Sequence, residues 1–272
     1  MRLVWVNRKM KVSKLLEKVR KQKPIVHHLT NWVTIYDCAC VVKSLGASPV
    51  MAHAQEEVAD MARIASALVL NIGTLTTDFV EAMKLAAKSA NNKGIPVVLD
   101  VCGAGATPFR DIKCNELLDQ VHINIIKGNA SEIARIAGEN VQTKGVDAGK
   151  VEKNLIGVAR YLAKTRKAIV VITGQEDIIA DQDKVFLVRN GDEMMTQVVG
   201  TGCMAASVIG TFAAVHNDLA EAAAAGLACY EIAAEQAAKK SNGPADFKVR
   251  MFDAIFNLNA KTVDLKQKIV KK

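Results

Sequence analysis

The sequence lacks any apolar run long enough to cross a membrane. Its 272 residues contain no uninterrupted apolar stretch near the roughly 18–20 residues that a spanning helix needs. The short stretch from Leu3 to Val6 runs directly into basic residues, which is unlike a signal peptide. These absences exclude the membrane-protein classes and predict a cytoplasmic protein with no membrane partner.

Paired cysteines are also lacking, because none of the six cysteines belongs to a Cys-x-x-Cys motif. Without an export signal we expect reduced thiols, and the spacing predicts no zinc site. Aromatic residues make up only 4% of the chain, although 50% of its residues are hydrophobic. Since Ala and Val supply most of that apolar content, the composition favours helices packed closely against parallel strands.

The net charge of +8 is concentrated near the start of the chain. Residues 8–23 contain eight basic side chains and a single acidic one, Glu17. Because Val12, Leu16 and Val19 recur there at helical spacing, an amphipathic helix with a solvated basic face is predicted. No aromatic side chains for base stacking are interleaved in this segment, which argues against a nucleic-acid partner. Residues 1–23 are therefore interpreted as a basic N-terminal helical extension.

Short apolar runs rich in Val and Ile alternate with Ala-rich helical patterns over much of the chain. Each run is followed by a cluster containing Gly, Asn or Asp, as in repeated β-α units. This alternation predicts an α/β fold, with a mostly parallel central sheet and helices on both faces. The predicted strands are 67–72, 95–99, 123–126 and 168–172, and the first helical patterns are 58–67 and 78–88.

The pattern changes towards the C-terminus. Residues 184–188 and 193–199 are predicted to be two strands of a hairpin, because an Asn-Gly pair between them is a strong turn signal. After Gly202 the chain is predicted to be wholly helical, over 203–216, 218–240 and 244–265. Since no linker, repeat or low-complexity segment interrupts the sequence, residues 1–272 are predicted to form a single domain.

The most informative motif lies at the start of the first of these C-terminal helices. Gly200 and Gly202 follow a β-branched segment, and Cys203 then opens an apolar, Ala-rich helix. Backbone N–H groups at a helix N-terminus lack intrahelical partners and lie at the positive end of the dipole, so this loop could receive a phosphoryl group. The same field favours thiolate over thiol, which makes Cys203 a candidate base or nucleophile. The alternative is a plain strand-to-helix turn with a small buried cysteine.

Polar residues follow the other predicted strands, at the edge where parallel sheets bind ligands. They are Asp100 after one strand, Lys127 and Glu132 after the next, and Thr173 after the last. A cation, carboxylates for Mg²⁺ and a glycine-rich loop are the parts that nucleotide-dependent phosphoryl transfer needs. The P-loop pattern is absent. Gly200, Gly202 and Ala205 fit a loose dinucleotide fingerprint, but no strand is predicted after this helix, which argues against NAD.

Several segments, taken in their order along the chain, carry a further signal. They are 24–31 (PIVHHLTN), 45–52 (LGASPVMA), 71–75 (NIGTL), 99–107 (LDVCGAGAT), 127–132 (KGNASE), 144–147 (KGVD) and 200–203 (GTGC). Together they resemble the hydroxyethylthiazole kinase family. The resemblance implies a ribokinase-like fold and homotrimers with active sites between subunits. It also implies that ATP and Mg²⁺ are used to phosphorylate the primary alcohol of 4-methyl-5-(2-hydroxyethyl)thiazole in thiamin biosynthesis.

The resemblance also implies roles for individual residues at the reacting end of the site. The residues that line the thiazole pocket are Met51, Gly200 and Asn31. Cys203 takes the place that many ribokinase-like enzymes give to an aspartate base, which makes it the candidate catalytic residue. The expected anion hole for the transferring phosphoryl group is the backbone of Gly200, Thr201, Gly202 and Cys203.

At the nucleotide end, the residues that fall in the motifs for ATP are Lys127, Thr173 and Asn129, and those for Mg²⁺ are Asp100 and Glu132. The chain departs from the family at two places. Lys127 stands where an arginine is usual, which keeps the charge but loses the bidentate fork. Val101 and Cys102 replace a usual Pro-Val pair, so the loop lacks the backbone restriction of proline.

Two other functions are left open by the sequence. One is another ribokinase-like activity, such as hydroxymethylpyrimidine phosphorylation or nucleotide-dependent repair of hydrated NAD(P)H. The motifs around His28 and Met51 argue against it. The other is a non-catalytic thiazole-binding protein, against which the intact Asp100, Glu132 and Cys203 argue.

Overall fold

A single sheet organises the computed structural model, which describes residues 10–138 and 155–272. Its strands are β1 Ile25–Leu29, β2 Ser48–Val50, β3 Ala67–Asn71, β4 Val97–Asp100, β5 Ile125–Asn129, β6 Ile169–Thr173, β7 Asp177–Ala180, β8 Val185–Val188 and β9 Ile269–Lys271. In the described residues their order across the sheet is β2-β1-β3-β4-β5-β6-β7-β8-β9. Strands β1 to β6 run parallel, and β7 to β9 extend one edge antiparallel. The predicted mostly parallel sheet is confirmed.

Helices connect the parallel strands and form the C-terminal part of the fold. They are α1 Val12–Gln22, α2 Ile35–Leu45, α3 Val58–Ile64, α4 Thr77–Lys93, α5 Pro108–Gln120, α6 Ala130–Ile136, α7 Leu155–Arg166, α8 Thr201–Ala213, α9 Leu219–Ala238, α10 Pro244–Phe256 and α11 Ala260–Lys266. Within the described parts of the chain, none of them has both the length and the apolarity that crossing a membrane requires.

The sheet is buried on both faces. Successive strand side chains point in opposite directions, so Val69 joins one hydrophobic core and its neighbours Leu68 and Leu70 join the other. Helices α1, α2 and α8 to α11 cover the first core, and α3 to α7 cover the second. Helix α8 lies so close to the sheet that a Cβ on Gly210 would collide with the side chain of Val69. The predicted helices on both faces are therefore confirmed.

The prediction of a second hairpin strand over residues 193–199 is wrong. In place of a strand over 193–199, Glu193–Gln197 form a 3-10 helix that begins after Asp192, whose carboxylate accepts a backbone N–H at 3.0 Å. Such a local side-chain bond favours a tight turn over an extended strand. The hairpin instead joins β7 to β8, and Asp181 closes its turn by accepting two backbone N–H groups at 2.7 Å. A 3-10 helix, and not a strand, thus precedes the Gly200 loop.

The C-terminal region is not wholly helical as predicted. The helix expected over 244–265 is divided into α10 and α11, because Asn259 starts a new helix by accepting the N–H of Thr262 at 3.0 Å. The final strand β9 pairs antiparallel with β8, with Val270 opposite Leu187. A strand of three residues is too short to show a periodic pattern, and its pairing depends on an edge that the rest of the fold creates.

Helix α1 is amphipathic, as predicted, and it is packed into the fold, whereas residues 1–9 of the predicted extension lie outside the described residues. Its residues Val12 and Leu16 are buried against the C-terminal helices. The guanidinium of Arg20 donates hydrogen bonds to the carbonyls of Phe256 and Leu258, at 2.9 and 2.6 Å. Carbonyls at a helix C-terminus need hydrogen-bond partners from outside the helix, and a cation there also interacts favourably with the negative end of the helix dipole. Part of the basic N-terminal charge therefore stabilises the end of α10.

Candidate active site

Four buried polar side chains form a network at the carboxyl ends of the parallel strands. Asn71 on β3, Asp100 on β4 and Lys127 on β5 lie opposite one another in the sheet register. Asn71 Nδ2 donates to Asp100 Oδ2 at 2.7 Å, and Lys127 Nζ lies 3.3 Å from Asp100 Oδ1. Asn31, just beyond β1, donates from Nδ2 to Asn71 Oδ1 at 3.0 Å. The sheet thus delivers residues that are distant in sequence to one connected site.

The glycine-rich loop begins α8 beside this network. Gly200 is the N-cap residue, and its φ of +94° lies in the left-handed region that favours glycine. A Cβ there would also lie 2.6 Å from Cγ2 of Thr34. Lys127 Nζ lies 3.3 Å from the position of a Cβ on Gly202, so its charge adds to the positive end of the helix dipole. The loop therefore offers an anion both backbone N–H groups and a nearby cation.

Cys203 lies in the first turn of α8, surrounded by hydrogen-bond donors. The pKa of Cys203 is lowered to about 5, chiefly because the Cys102 thiol donates a hydrogen bond to it. Burial opposes this shift, whereas the charge of Lys127 and hydrogen bonds from Thr34 and Asn31 favour the thiolate. Asn31 Nδ2 lies 3.2 Å from Cys203 Sγ. These contacts favour the thiolate form of Cys203, which lies where a helix N-terminus also favours negative charge.

In the buried Asp100–Lys127 pair, burial favours the neutral form of each side chain and the charge of the partner favours the ionised form. Burial raises the pKa of Asp100 above its usual value, whereas the charge of Lys127 favours the ionised carboxylate. Burial also opposes the charge of Lys127, but Asp100, Glu132 and Cys203 together keep the pKa of Lys127 above its usual value. The ammonium is thus held charged by the negative groups around it. A cation that binds Asp100 competes with a proton for the same carboxylate.

Glu132 joins two of the loops at this edge of the sheet. Its Oε1 accepts the N–H of Gly103 at 2.7 Å, and its Oε2 accepts the N–H of Asn129 at 2.8 Å. The Asn129 side chain in turn accepts the N–H of Glu132, which completes a capping box at the start of α6. The charge of Glu132 acts on both Asp100 and Lys127. Glu132 therefore supports the loops and adds a second carboxylate near Asp100.

The donor set at this edge suits Mg²⁺ brought with a phosphate ligand. Two carboxylates, Asp100 and Glu132, lie near one another, and no group of three or more metal-ligating side chains occurs in residues 10–138 and 155–272. Mg²⁺ commonly keeps several waters and binds through one or two carboxylates plus substrate phosphates. The residues present fit that mode of binding better than an all-protein cage.

The remaining predicted site residues lie along the same edge. Thr173 ends β6 opposite Asn129 of β5, and its Oγ1 donates to the carbonyl of Gly128 at 3.4 Å. Met51 follows β2, half-buried against the core that α8 covers. Of the motif segments, 144–147 lies outside the described residues. The structure thus brings Cys203, the glycine loop and the Asp100 network together, with Thr173 and Met51 on either side.

Three residues of the site had no role in the prediction from sequence. Asn71 is hydrogen-bonded to both Asn31 and Asp100. Thr34 packs against Gly200 and is hydrogen-bonded to Cys203. Cys102 donates a hydrogen bond to Cys203. A signal was present for Asn71, because a polar residue that ends a buried strand beside Asp100 needs a partner. Cys102 lies in the motif 99–107, but no local pattern indicates its contact with Cys203, and none points to Thr34.

Comparisons with known proteins agree with this geometry. A sequence model of the hydroxyethylthiazole kinase family matches residues 16–261. The hydroxyethylthiazole kinase of Methanosarcina acetivorans is 54% identical over 248 residues, which cover 91% of this chain and 95% of that protein. The solved structure of hydroxyethylthiazole kinase from Pyrococcus horikoshii superposes with a TM-score of 0.89 at 36% identity and covers 96% of this chain and 98% of its own.

More distant structures share the architecture only. A ribokinase-like superfamily protein from Enterococcus faecalis superposes with a TM-score of 0.64 at 15% identity, over 89% of this chain and 93% of its own. At that identity the likeness concerns the fold and not the activity.

Proposed function

Because this chain belongs to the hydroxyethylthiazole kinase family, we propose that it transfers the terminal phosphoryl group of ATP to the alcohol of 4-methyl-5-(2-hydroxyethyl)thiazole. It is a kinase with the ribokinase-like α/β fold. The observation that carries the chemical proposal is the position of Cys203, a thiolate in the first turn of α8 beside the buried Asp100–Lys127 pair. A base, an anion loop and a cation then lie within one site.

The alcohol is held between β1, β2 and the start of α8. Asn31, Met51 and Gly200 line the thiazole pocket in this proposal. Asn31 is already fixed by bonds from its amide to Asn71 and Cys203, and its Oδ1 accepts from Thr34 at 3.1 Å. The Asn31 side chain is therefore already ordered before the substrate binds. It can position the substrate hydroxyl near Cys203 with little further loss of side-chain entropy.

The transferring phosphoryl group is held at the start of α8. The backbone N–H groups from Gly200 to Cys203 face the developing charge, and Lys127 adds a positive charge beneath Gly202. Because the transition state of phosphoryl transfer is loose, with charge spread over the equatorial oxygens, such fixed donors supply much of the rate enhancement.

Cys203 is the proposed general base. A thiolate whose pKa lies at about 5 is a weak base towards a free alcohol. In a loose transition state, however, the alcohol proton becomes acidic only as its oxygen bonds to phosphorus, so the proton passes late to the Sγ atom. A positioned base of this kind contributes about 10²–10⁴-fold, and positioning and electrostatics supply the rest.

The nucleotide occupies the side of the site formed by β5 and β6. Thr173 and Asn129, which lie opposite one another in the sheet, are the proposed contacts for ATP, with Lys127 towards its phosphates. Asp100 and Glu132 would hold Mg²⁺, directly or through water. The metal would supply neutralisation of charge on the phosphates.

The proposal is tested by ADP release from the purified chain with ATP and Mg²⁺. We expect release that depends on the thiazole alcohol and is absent with an analogue that lacks the hydroxyl group, because the hydroxyl is the nucleophile. Hydroxymethylpyrimidine and hydrated NADH serve as competing substrates. Preferential turnover of either, or folded protein that binds the thiazole without releasing ADP, would contradict the proposal.

An exposed apolar patch supports assembly into a homotrimer whose active sites lie between subunits. Val33, Tyr36 and Val199 are 68%, 77% and 72% exposed, and Trp32 is half-exposed beside them in the chain. The patch adjoins the site, because Gly200, next to Val199, approaches Thr34. Large apolar side chains clustered in this way mark interaction surfaces.

Placing a charge in this patch should dissociate the assembly. We expect Tyr36→Glu to sediment as a monomer and to lose most of its kcat/KM for the thiazole, because burial of an unpaired carboxylate opposes association. Tyr161→Glu is the matched control, since Tyr161 is 59% exposed on α7 at the other face of the sheet. A trimeric Tyr36→Glu variant would show that this patch is not the interface.

A further inference from the structure

One turn of α9 lies behind the two loops that the proposed reaction uses. Tyr230 and Glu231 are adjacent on this helix, and both are buried although each carries a polar group. Neither is part of the sequence motifs that point to the site. Burying a polar group lowers the stability of the fold unless the group has a hydrogen-bond partner, so the partners of these two side chains are informative.

Tyr230 contacts the glycine-rich loop. Its hydroxyl donates to the carbonyl of Thr201 at 3.0 Å, and the Thr201 hydroxyl donates to the carbonyl of Met195 at 2.9 Å. The first residue of α8 is thus held from two sides, by α9 and by the preceding 3-10 helix.

Glu231 contacts the nucleotide side of the site through Asp177. The two side chains are hydrogen-bonded to each other, and Asp177 Oδ1 also accepts the N–H of Gly174 at 2.9 Å. Asp177 is 2% exposed and Glu231 is 6% exposed. Gly174 directly follows Thr173, so the chain of contacts runs from α9 to the loop proposed for ATP.

No described group outside the pair donates to Asp177 Oδ2 or to Glu231 Oε2. Both atoms are buried, and neither has a hydrogen-bond donor among the described groups unless one carboxyl is protonated. Burial is the main cause that raises the pKa of both groups, and the charge of Asp177 raises that of Glu231 further. These directions favour a neutral Glu231 that donates to an Asp177 carboxylate, whose Oδ1 accepts from Gly174.

The charges that face the pair come from three other places in the fold. Glu235, one turn along α9, raises the pKa of Glu231, and Lys268 lowers it. These two form an ion pair of their own at 3.0 Å, so their effects on Glu231 oppose each other. Lys127, in the site, acts on Asp177 and favours its ionised form. Lys127 thus favours placing the negative charge on Asp177, and Glu235 favours keeping the proton on Glu231.

We propose that Glu231 is a positioning residue for the phosphoryl donor: its proton, shared with Asp177, holds the Thr173–Gly174 loop in the conformation that binds nucleotide. This inference deepens the proposed function and rests on its assignment of the nucleotide to that loop. When the proton is lost, two adjacent buried carboxylates repel each other. Asp177 then moves from Glu231 and releases Gly174, and nucleotide affinity falls.

The sign of the pH effect follows from the direction of these shifts. A raised carboxyl pKa means that the proton is held at neutral pH and lost as the pH rises. Nucleotide affinity should therefore weaken in alkaline solution. Glu231→Gln keeps a donor towards Asp177 that cannot be titrated, so its affinity should stay constant over the same range.

The test is calorimetric titration of ADP into the full chain, from neutral to alkaline pH and without the thiazole. For the unmodified protein we expect Kd to rise roughly three- to tenfold, the range that loss of one hydrogen bond gives. Glu231→Gln should show a flat profile, and Glu231→Ala a raised Kd at every pH. Glu235→Gln is the matched control, because it changes a neighbouring carboxylate on α9 and should retain the alkaline weakening.

Thermal unfolding of each variant separates loop positioning from general destabilisation. A flat ADP profile for the unmodified protein, or an alkaline rise that persists in Glu231→Gln, would overturn the positioning role while leaving the kinase assignment intact. The expected profiles in a protein without thiazole-dependent turnover would support the positioning role and count against the proposed substrate. A chain that binds no ADP at any pH would overturn both.

Discussion

Replacing Cys203 by alanine is expected to lower kcat by about 10²–10⁴-fold, the range that a positioned general base contributes. The KM for the thiazole should change little. The thiolate acts on a proton that is released only as the phosphoryl group is transferred, so its loss affects the transition state and not the ground state. Steady-state kinetics with the thiazole varied at saturating ATP and Mg²⁺ give the two constants separately.

Two further variants at the same position test the chemistry of the base. Cys203→Asp should retain substantial activity, because a carboxylate at the start of α8 is ionised at neutral pH and is also favoured by the helix dipole. Cys203→Ser should be nearly as poor as alanine, since a neutral hydroxyl is a weak acceptor of protons. An alanine variant with the kcat of the unmodified protein would show that Cys203 only packs.

The pH profile gives a second measure of the same role. Because the pKa of Cys203 is lowered to about 5 and the active form is the thiolate, kcat/KM should fall as the pH drops through that value. In Cys203→Asp the acidic limb should move to lower pH or disappear. A limb that is unchanged in the aspartate variant would assign the titration to another group.

Replacing Asp100 by asparagine is expected to lower kcat by roughly 10²–10³-fold, as loss of a preorganised charged group commonly does, and to raise the Mg²⁺ requirement. The carboxylate both offers oxygen to the cation and balances the charge of Lys127, 3.3 Å away. Thiazole binding should change little, because an asparagine at this position can still accept the hydrogen bond from Asn71, which holds Asn31. Turnover measured against Mg²⁺ concentration, with thermal unfolding as a check on the fold, distinguishes these effects.

Glu132→Gln is the comparison for that variant. Glu132 uses both carboxylate oxygens to accept N–H groups from Gly103 and Asn129. Glutamine can keep only one of these bonds as an acceptor, so we expect nucleotide affinity to fall along with the Mg²⁺ response. Unchanged Mg²⁺ dependence in both variants would contradict the placement of the metal between these carboxylates.

The loop after β4 has Val101 where the family resemblance implies a proline, and its backbone is restrained by side chains from elsewhere in the fold. Arg110 on α5 donates to the carbonyls of Ile72, Gly73 and Cys102, at 2.8, 2.7 and 3.2 Å. Glu132 accepts the N–H of Gly103 in the same loop. Two of these hydrogen bonds, at Cys102 and Gly103, thus restrain the backbone of this loop from outside, and the other two Arg110 bonds tie it to the loop after β3.

Local patterns were sufficient to predict the central architecture. The apolar runs rich in Val and Ile became β3, β4, β5 and β6, because strands buried on both faces need continuous β-branched apolar sequence. The family resemblance was confirmed by the match over 16–261. The prediction failed at 193–199, where the local bond from Asp192 to the backbone outweighed the β-branched composition.

The fold class and the edge of the sheet at which chemistry must lie could both be predicted from the amino-acid sequence. Both follow from periodicity and from the parallel direction of the strands, which are local properties repeated along the chain. Which polar side chains meet at that edge depends on the packing of the whole fold. The contact of Asn31 with Cys203 and that of Asp177 with Glu231 join strands or loops to distant helices. Such contacts depend on the lateral order of the strands and on how closely α8 and α9 pack, which no local pattern encodes.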